Sequence, residues 1–132
     1  MRSLLLIPLA ASLTACATIP EPAAVTLTGT VAYRERIALP ADSRLIVSID
    51  DVSLADAPSV TIAQNQIVTA GQQVPISFAL SYDPAKIEPG RSYAVSARIL
   101  DGRGRLAWIT DTRNALPPPG QNIALNLVQA RR

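Results

Sequence analysis

No histidine occurs anywhere in the 132-residue chain, and cysteine occurs once, at position 16. Without imidazole there is no Ser-His-Asp or Cys-His arrangement to activate a nucleophile, and no histidine metal ligand. A single thiol likewise excludes an intrachain disulfide and a cysteine-rich zinc site. Aromatic residues are only 4% of the chain, so its single Trp, at position 108, draws notice as either a core ring or a partner anchor. Charge of one sign is scarce too. Twelve Lys and Arg stand against ten Asp and Glu, a net +2 too small and too little clustered for the basic stripe that nucleic-acid binding calls for. Ser and Asp are plentiful, but no pattern sets a base beside a nucleophile. The expectation is a protein that is not an enzyme, with no nucleic-acid partner, no cofactor and no metal.

Long apolar runs are also missing. The run Leu4 to Leu13, interrupted by Pro8 and Ser12, falls far short of the roughly 20 residues of a membrane-spanning helix. Preceded by Arg2 and closed by Leu13-Thr14-Ala15-Cys16, it has instead the layout of a signal peptide. Those four residues resemble the lipobox of bacterial lipoproteins: a Leu, two small residues, and the Cys that is acylated before cleavage. Residues 1–15 then form the signal peptide, and Cys16 becomes the lipidated first residue, palmitate being the expected kind of acyl group. Several chains at about 0.8 kcal/mol per buried CH₂ make such an anchor stable. The alternative is an ordinary secretory signal that leaves Cys16 as a free or buried thiol. Ala17 occupies the place where lipoproteins retained at the inner membrane of enterobacteria typically carry Asp, so the expected address is the outer membrane, facing the periplasm. Residues 16–24 comprise Cys16 and ATIPEPAA, a Pro/Ala tether whose last eight residues span at most roughly 28 Å.

From residue 25 to 132 the pattern is apolar and polar alternation in short runs rich in Val, Ile, Leu and Thr, the period of half-buried strands. Strands are expected at Val25 to Tyr33, Arg44 to Val52, Val60 to Ile67, Val74 to Leu80, Tyr93 to Ile99, Leu106 to Thr110 and Ile123 to Leu127. One open sheet would leave an apolar face wet, which points to an all-β, single-domain antiparallel β-sandwich of about seven to eight strands, immunoglobulin-like in general architecture. Gly29 falls on the apolar face of the first strand, as at a bulge or a close sheet contact. Asp101-Gly102-Arg103-Gly104 reads as a hairpin with Asp-Gly at the positive-φ positions. Asp83 and Pro84 read as cap and first residue of a short helical turn, and Pro117 to Pro119 as a stiff extended crossing.

Three groups carry a candidate site. Asp50, Asp51 and Asp56 lack the spacing of a calcium loop and read as strand-end and turn residues, with Asp51 bonding the backbone near Ser53. Tyr33-Arg34-Glu35-Arg36 reads as a solvated edge with a local ion pair, its Arg34 and Arg36 also suited to carboxylates or phosphates of a partner. Trp108, in phase with Leu106, reads as core, with a partly exposed indole as the partner-contact alternative.

Several blocks occur together in one order: Gly29-Thr30-Val31, Tyr33-Arg34-Glu35-Arg36 with Leu39-Pro40, Asp51-Val52-Ser53 with Asp56-Ala57-Pro58, Gly71-Gln72-Gln73-Val74-Pro75-Ile76 through Phe78 to Tyr82-Asp83-Pro84, then Tyr93, Ala97-Arg98-Ile99 and Trp108. Over about 24 to 128 this resembles the YbaY/YscW family of lipoproteins. The resemblance implies a small β-sandwich lipoprotein of the type III secretion chaperone or pilotin kind, with an envelope protein such as a secretin as partner and no catalytic residues to carry over. Two functions follow as expectations: a membrane-anchored protein-binding or assembly-assisting module, or a small-ligand-binding or cell-wall-enzyme inhibitor lipoprotein.

Overall fold

In the computed structural model, which describes residues 24–131, the alternating runs form strands with their apolar positions turned to one shared interior. They are β1 (Val25–Tyr33), β2 (Arg44–Asp51), β3 (Val60–Val68), β4 (Ile76–Tyr82), β5 (Tyr93–Leu100), β6 (Leu106–Ile109), β7 (Asn114–Ala115) and β8 (Asn122–Gln129). β4 shows the pattern most cleanly: Ile76, Phe78, Leu80 and Tyr82 are buried while Ser77, Ala79 and Ser81 are exposed. Leu45, Val47 and Ile49 of β2 and Val95 and Ile99 of β5 have at most 1% of their surface accessible and form the middle of the core.

The sheet runs β3-β2-β5-β6-β8-β1-β4, with β7 pairing β5 off this path. The all-β architecture of eight strands is as expected. Two features of its assembly are not in the alternation. β8 lies parallel to β1, with Val31 opposite Leu125 and Tyr33 opposite Leu127, whereas every other pairing is antiparallel. In addition β8 pairs with β6 as well as β1, joining the two layers through one strand. The consecutive strands β3 and β4 are the ends of the path and approach one another, Asn65 Nδ2 donating to the Ala79 carbonyl at 3.0 Å. The result is a nearly closed, barrel-like sheet, with β3 and β4 brought together across the gap without a ladder between them.

Strand direction defines two ends. At the near end β1 begins, β2 and β4 finish and β5 begins; at the far end β1, β5 and β8 finish and β2 and β6 begin. Ala24, and with it the route to the tether, is at the near end.

Several boundaries differ from expectation for identifiable reasons. β4 starts at Ile76 rather than Val74 because Pro75, in cis after Val74, has no N–H to give a ladder. The Asp101 hairpin places positive φ at Gly104 (+79°) and not at Gly102. Asp101 organises this loop through its side chain, which accepts from the backbone N–H groups of Arg103 and Arg105, both at 2.9 Å. Opposite Leu106 the β5–β6 register shifts between Ile99 and Leu100, so Leu106 turns outward (43% exposed) while Trp108 stays buried. The turn after β4 is as read: Pro84–Lys86 is a 3-10 turn and the Asp83 side chain accepts from Ala85 N at 2.9 Å.

Gly29 marks a close contact. A Cβ there would overlap the Ile123 carbonyl oxygen and come within 2.8 Å of Phe78 Cζ, so only glycine lets β8 lie this close to β1.

Candidate functional site

The far end carries an apolar depression of about 530 Å³ built from three stretches of chain. Ile37, Leu39 and Pro40 come from the segment after β1, Leu106 and Trp108 from β6, and Ala130 from the end of β8. Each is held by an identifiable device. Tyr33 and Trp108 stack face to face, ring centroids 3.8 Å apart and planes 7° from parallel, and the Tyr33 hydroxyl donates to the Ile37 carbonyl. Burial, and secondarily the charge of Glu35, pushes the Tyr33 phenol above its ordinary range.

Leu39 is fixed by a side-chain amide standing in for a strand. Gln73 Oε1 accepts from Leu39 N at 2.7 Å and Gln73 Nε2 donates to Leu39 O at 3.1 Å. Gln73 reaches that position from a tight turn in which Ala70 (+49°) and Gly71 (+87°) both have positive φ and Gln72 N donates to Thr69 O at 2.9 Å, the geometry of a type I′ turn. The floor is therefore ordered, and the backbone of Leu39 is already satisfied.

The rim is basic. Arg34 and Arg36 in the segment leading to Ile37, Arg44 at the start of β2, Arg103 and Arg105 in the β5–β6 hairpin, and Arg131 beyond β8 all belong to this end. Against them stand Glu35, Asp42 and Asp101. Among the described residues only Arg105 of these six is ion-paired, to Asp101 at 3.3 Å. Backbone N–H groups of Arg105 and Arg103, with the Arg105 charge, hold the Asp101 carboxyl below its usual range.

The near end has the opposite character. Asp50, Asp51, Asp56, Asp83, Glu88 and Asp111 outnumber Lys86, Arg91 and Arg113 there. Asp51 accepts from Ser53 N at 3.0 Å as expected, and also pairs with Arg91 at 2.9 Å, which the sequence did not announce. The Ser53 hydroxyl and backbone N–H, followed by Arg91, hold Asp51 below the ordinary carboxylate range. Asp50 is bonded by Ser48, Thr61 and Ser96. Among the described residues no group of three carboxylate or thiol side chains is placed to hold a metal ion. A second apolar groove, about 550 Å³, lies at this end between Tyr82, Ile87, Tyr93, Leu116 and the prolines 117–119.

Of the sequence-derived site residues, Arg34 and Arg36 are exposed. The local ion pair expected with Glu35 is absent: the pairs among the described residues are Arg91 with Asp51 and Glu88, and Arg105 with Asp101. Both arginines are thus left as solvated charges. Trp108 is 4% exposed, a core ring beneath the depression rather than an exposed anchor. Cys16 and the lipobox residues Leu13, Thr14 and Ala15, with nearly all of the tether, lie outside the described residues. Ile37 and Leu106 were not singled out by sequence as site residues; one lies four residues beyond the end of β1 and the other is turned outward by a register shift, and neither event shows in hydrophobic periodicity.

Fold and site together define a small all-β, barrel-like domain that presents an ordered, largely apolar depression at its basic end. Residues 22–127 match the family model for the type III secretion system lipoprotein chaperone YscW, and the chain belongs to that family. It is 45% identical over 86 residues, 65% of its length, to the uncharacterized lipoprotein YbaY of Escherichia coli K12. The matched part is 45% of that relative, so the chain spans about half the length of the curated protein it matches. Among solved structures, an alternative pilotin from the type II secretion system of Vibrio cholerae superposes with a TM-score of 0.77 at 42% identity, covering 83% of this chain and 100% of that one.

Proposed function

We propose that this protein is a non-enzymatic bacterial envelope lipoprotein that docks a segment of another envelope protein, secretin-like in kind, and assists its placement or assembly at the outer membrane. The observation that carries the reading is the likeness, across most of the domain, to a structure described as a pilotin, together with membership of a lipoprotein chaperone family. In this reading residues 1–15 are removed as a signal peptide, Cys16 after Leu13-Thr14-Ala15 carries the acyl chains, residues 16–24 are the tether, and residues 25–132 form the periplasm-facing domain.

Geometry supports a division of labour between the ends. The tether joins the domain at the near end, beside β1, a strand of nine residues and so about 30 Å long at roughly 3.3 Å per residue. A tether of roughly 28 Å at full stretch keeps the near end close to the bilayer and lets the far end, with its apolar depression, face away. Anchor and docking surface then sit at opposite poles.

The test is crosslinking of the lipidated protein in its own membranes followed by identification of adducts. Reproducible recovery of one envelope protein is the expected result, and its absence across repeated preparations counts against a docking role.

A further inference from the structure

We infer that the near-end groove is a seat for the chain's own tether, with Ile19-Pro20-Glu21-Pro22 lying against Ile87, Leu116 and the prolines 117–119, and Glu21 meeting Arg113. The inference rests on the proposed reading in one respect, that residues 16–24 stay on the mature chain, and adds a binding site and its occupant.

Topology brings the tether to the groove. In the sheet β1 lies between β8 and β4. It runs antiparallel to β4, with Val25 opposite Tyr82, and parallel to β8, with Thr28 opposite Asn122. The chain before Val25 therefore leaves the sheet between the segment that follows β4 and the segment that precedes β8. Those segments are walls of the groove, Pro84 and Ile87 on one side and the prolines 117–119 on the other. Both walls are ordered by the domain itself. The Asp83 side chain caps the turn at Pro84–Lys86, Tyr93 Oη accepts from Glu88 N at 2.8 Å, and Leu116 N donates to the Tyr93 carbonyl at 3.1 Å. Only Ala23 and Ala24 separate Pro22 from Val25, and a linker this short gives an effective concentration at which even a weak contact is populated. The far-end depression is out of reach: Ile19 to Ala24 stretch to at most roughly 22 Å, less than the about 30 Å of the nine-residue strand β1.

The chemistry matches as well. A residue before a proline is held extended, so Ile19 and Glu21 keep this stretch in a polyproline-like form that loses little entropy on binding. Grooves lined with aromatic rings take up such segments, and this one has Tyr82 and Tyr93 at its floor. Glu21 is the single charged residue between 16 and 24. Of the arginines lining the groove, Arg91 is committed to Asp51 and Glu88, whereas Arg113 is exposed and has no ion pair among the described residues. An arginine so placed favours a carboxylate. With the tether seated, only Cys16, Ala17 and Thr18 remain between groove and lipid, and the near end is held against the bilayer.

The test uses the mature lipoprotein in detergent micelles, isotope-labelled for NMR. Nuclear Overhauser contacts are expected from Pro20 and Pro22 to the Ile87 and Leu116 methyls. The Glu21 backbone order parameter should be about 0.8, close to rigid backbone and above the value of about 0.6 that bounds a flexible chain. Leu116→Asp should abolish the contacts and take that parameter below about 0.6. Arg113→Glu, on an exposed side chain, should lower it too, and Glu21→Arg added to Arg113→Glu should restore it, a rescue that loss of structure would not give. Leu106→Asp at the far end should change neither readout, and circular dichroism melts check that each variant folds. A wild-type order parameter below about 0.6, tether contacts to detergent chains in place of Ile87 and Leu116, or a charge swap without rescue overturns the inference.

Intact mass of the same sample separates the inference from the reading beneath it. Acyl chains on Cys16 together with a freely moving tether overturn the inference and leave the lipoprotein reading standing. A mature chain that begins after Pro22 overturns both.

Discussion

At the scale of single residues, two positions bear disproportionate weight. Gly29 exists so that β1 and β8 can meet, and a larger residue there must displace backbone, which cannot yield as a flexible side-chain tip does. Gly29→Val is expected to destabilise the domain by about 3 kcal/mol, seen as an early midpoint in urea unfolding; a midpoint equal to wild type would show that β8 is free to shift. Asp51 has its pKa lowered by the Ser53 hydroxyl and N–H and by Arg91. A carboxyl that binds protons less readily folded than unfolded stabilises the fold above its unfolded pKa of about 3.9. That contribution disappears as pH falls through the lower folded value. Asp51→Asn should therefore lower the melting temperature at pH 7 and flatten its decline below about pH 4, whereas parallel curves for variant and wild type would mean that the bonds contribute nothing. The Asp51–Ser53 contact was legible because an Asp at a strand end before a Ser is a local, two-residue event. Its ion pair with Arg91 was not, since that residue is distant in sequence and only the fold brings it near.

At the scale of elements, alternation was a sound guide wherever one face is buried and one wet. β1 begins and ends at the expected residues, and β4 keeps its phase although its start moves past Pro75. What alternation does not encode is anything produced by a neighbour. β7, two residues long, exists because Asn114 and Ala115 meet Val95 and Ala94 of β5, and Leu106 faces out because the ladder opposite slips. Turn chemistry was half legible. Asp101 was correctly given the loop, but its side chain bonding, with Gly104 at positive φ, replaces the Asp-Gly geometry the dipeptide suggested. The Gln73 clamp is a loop-to-loop contact with no local signature at all. Removing it by Gln73→Ala leaves the Leu39 N–H and C=O unpaired in a half-buried setting, so stability should fall by about 1 to 2 kcal/mol. Hydrogen exchange at Leu39 should quicken while β2 and β5 stay protected; unchanged exchange there would show that the clamp is not what orders the depression.

At the scale of the whole molecule, the parallel meeting of β8 with β1 and the near closure of β3 on β4 turn a pair of layers into a barrel-like body with two chemically distinct poles. That polarity is invisible in the net charge of +2, because opposite excesses at the two ends nearly cancel. The sequence blocks that carry the family resemblance include those that build the far end: the Tyr33 to Pro40 segment, the turn that presents Gln73, and Trp108 under its stacked Tyr33. In the proposed reading the single cysteine heads the tether that enters the domain at the near end, and intact mass measurement of the mature chain is expected to find acyl chains on Cys16. The most direct test of a membrane-anchored docking role compares wild type with Cys16→Ala by envelope fractionation after crosslinking in intact cells. Wild type should appear in the outer-membrane fraction joined to one recurrent envelope protein, and Cys16→Ala should shift both the protein and that adduct out of the fraction. An unlipidated variant that stays in the outer membrane, or a wild type that never acquires a recurrent partner, would contradict the account.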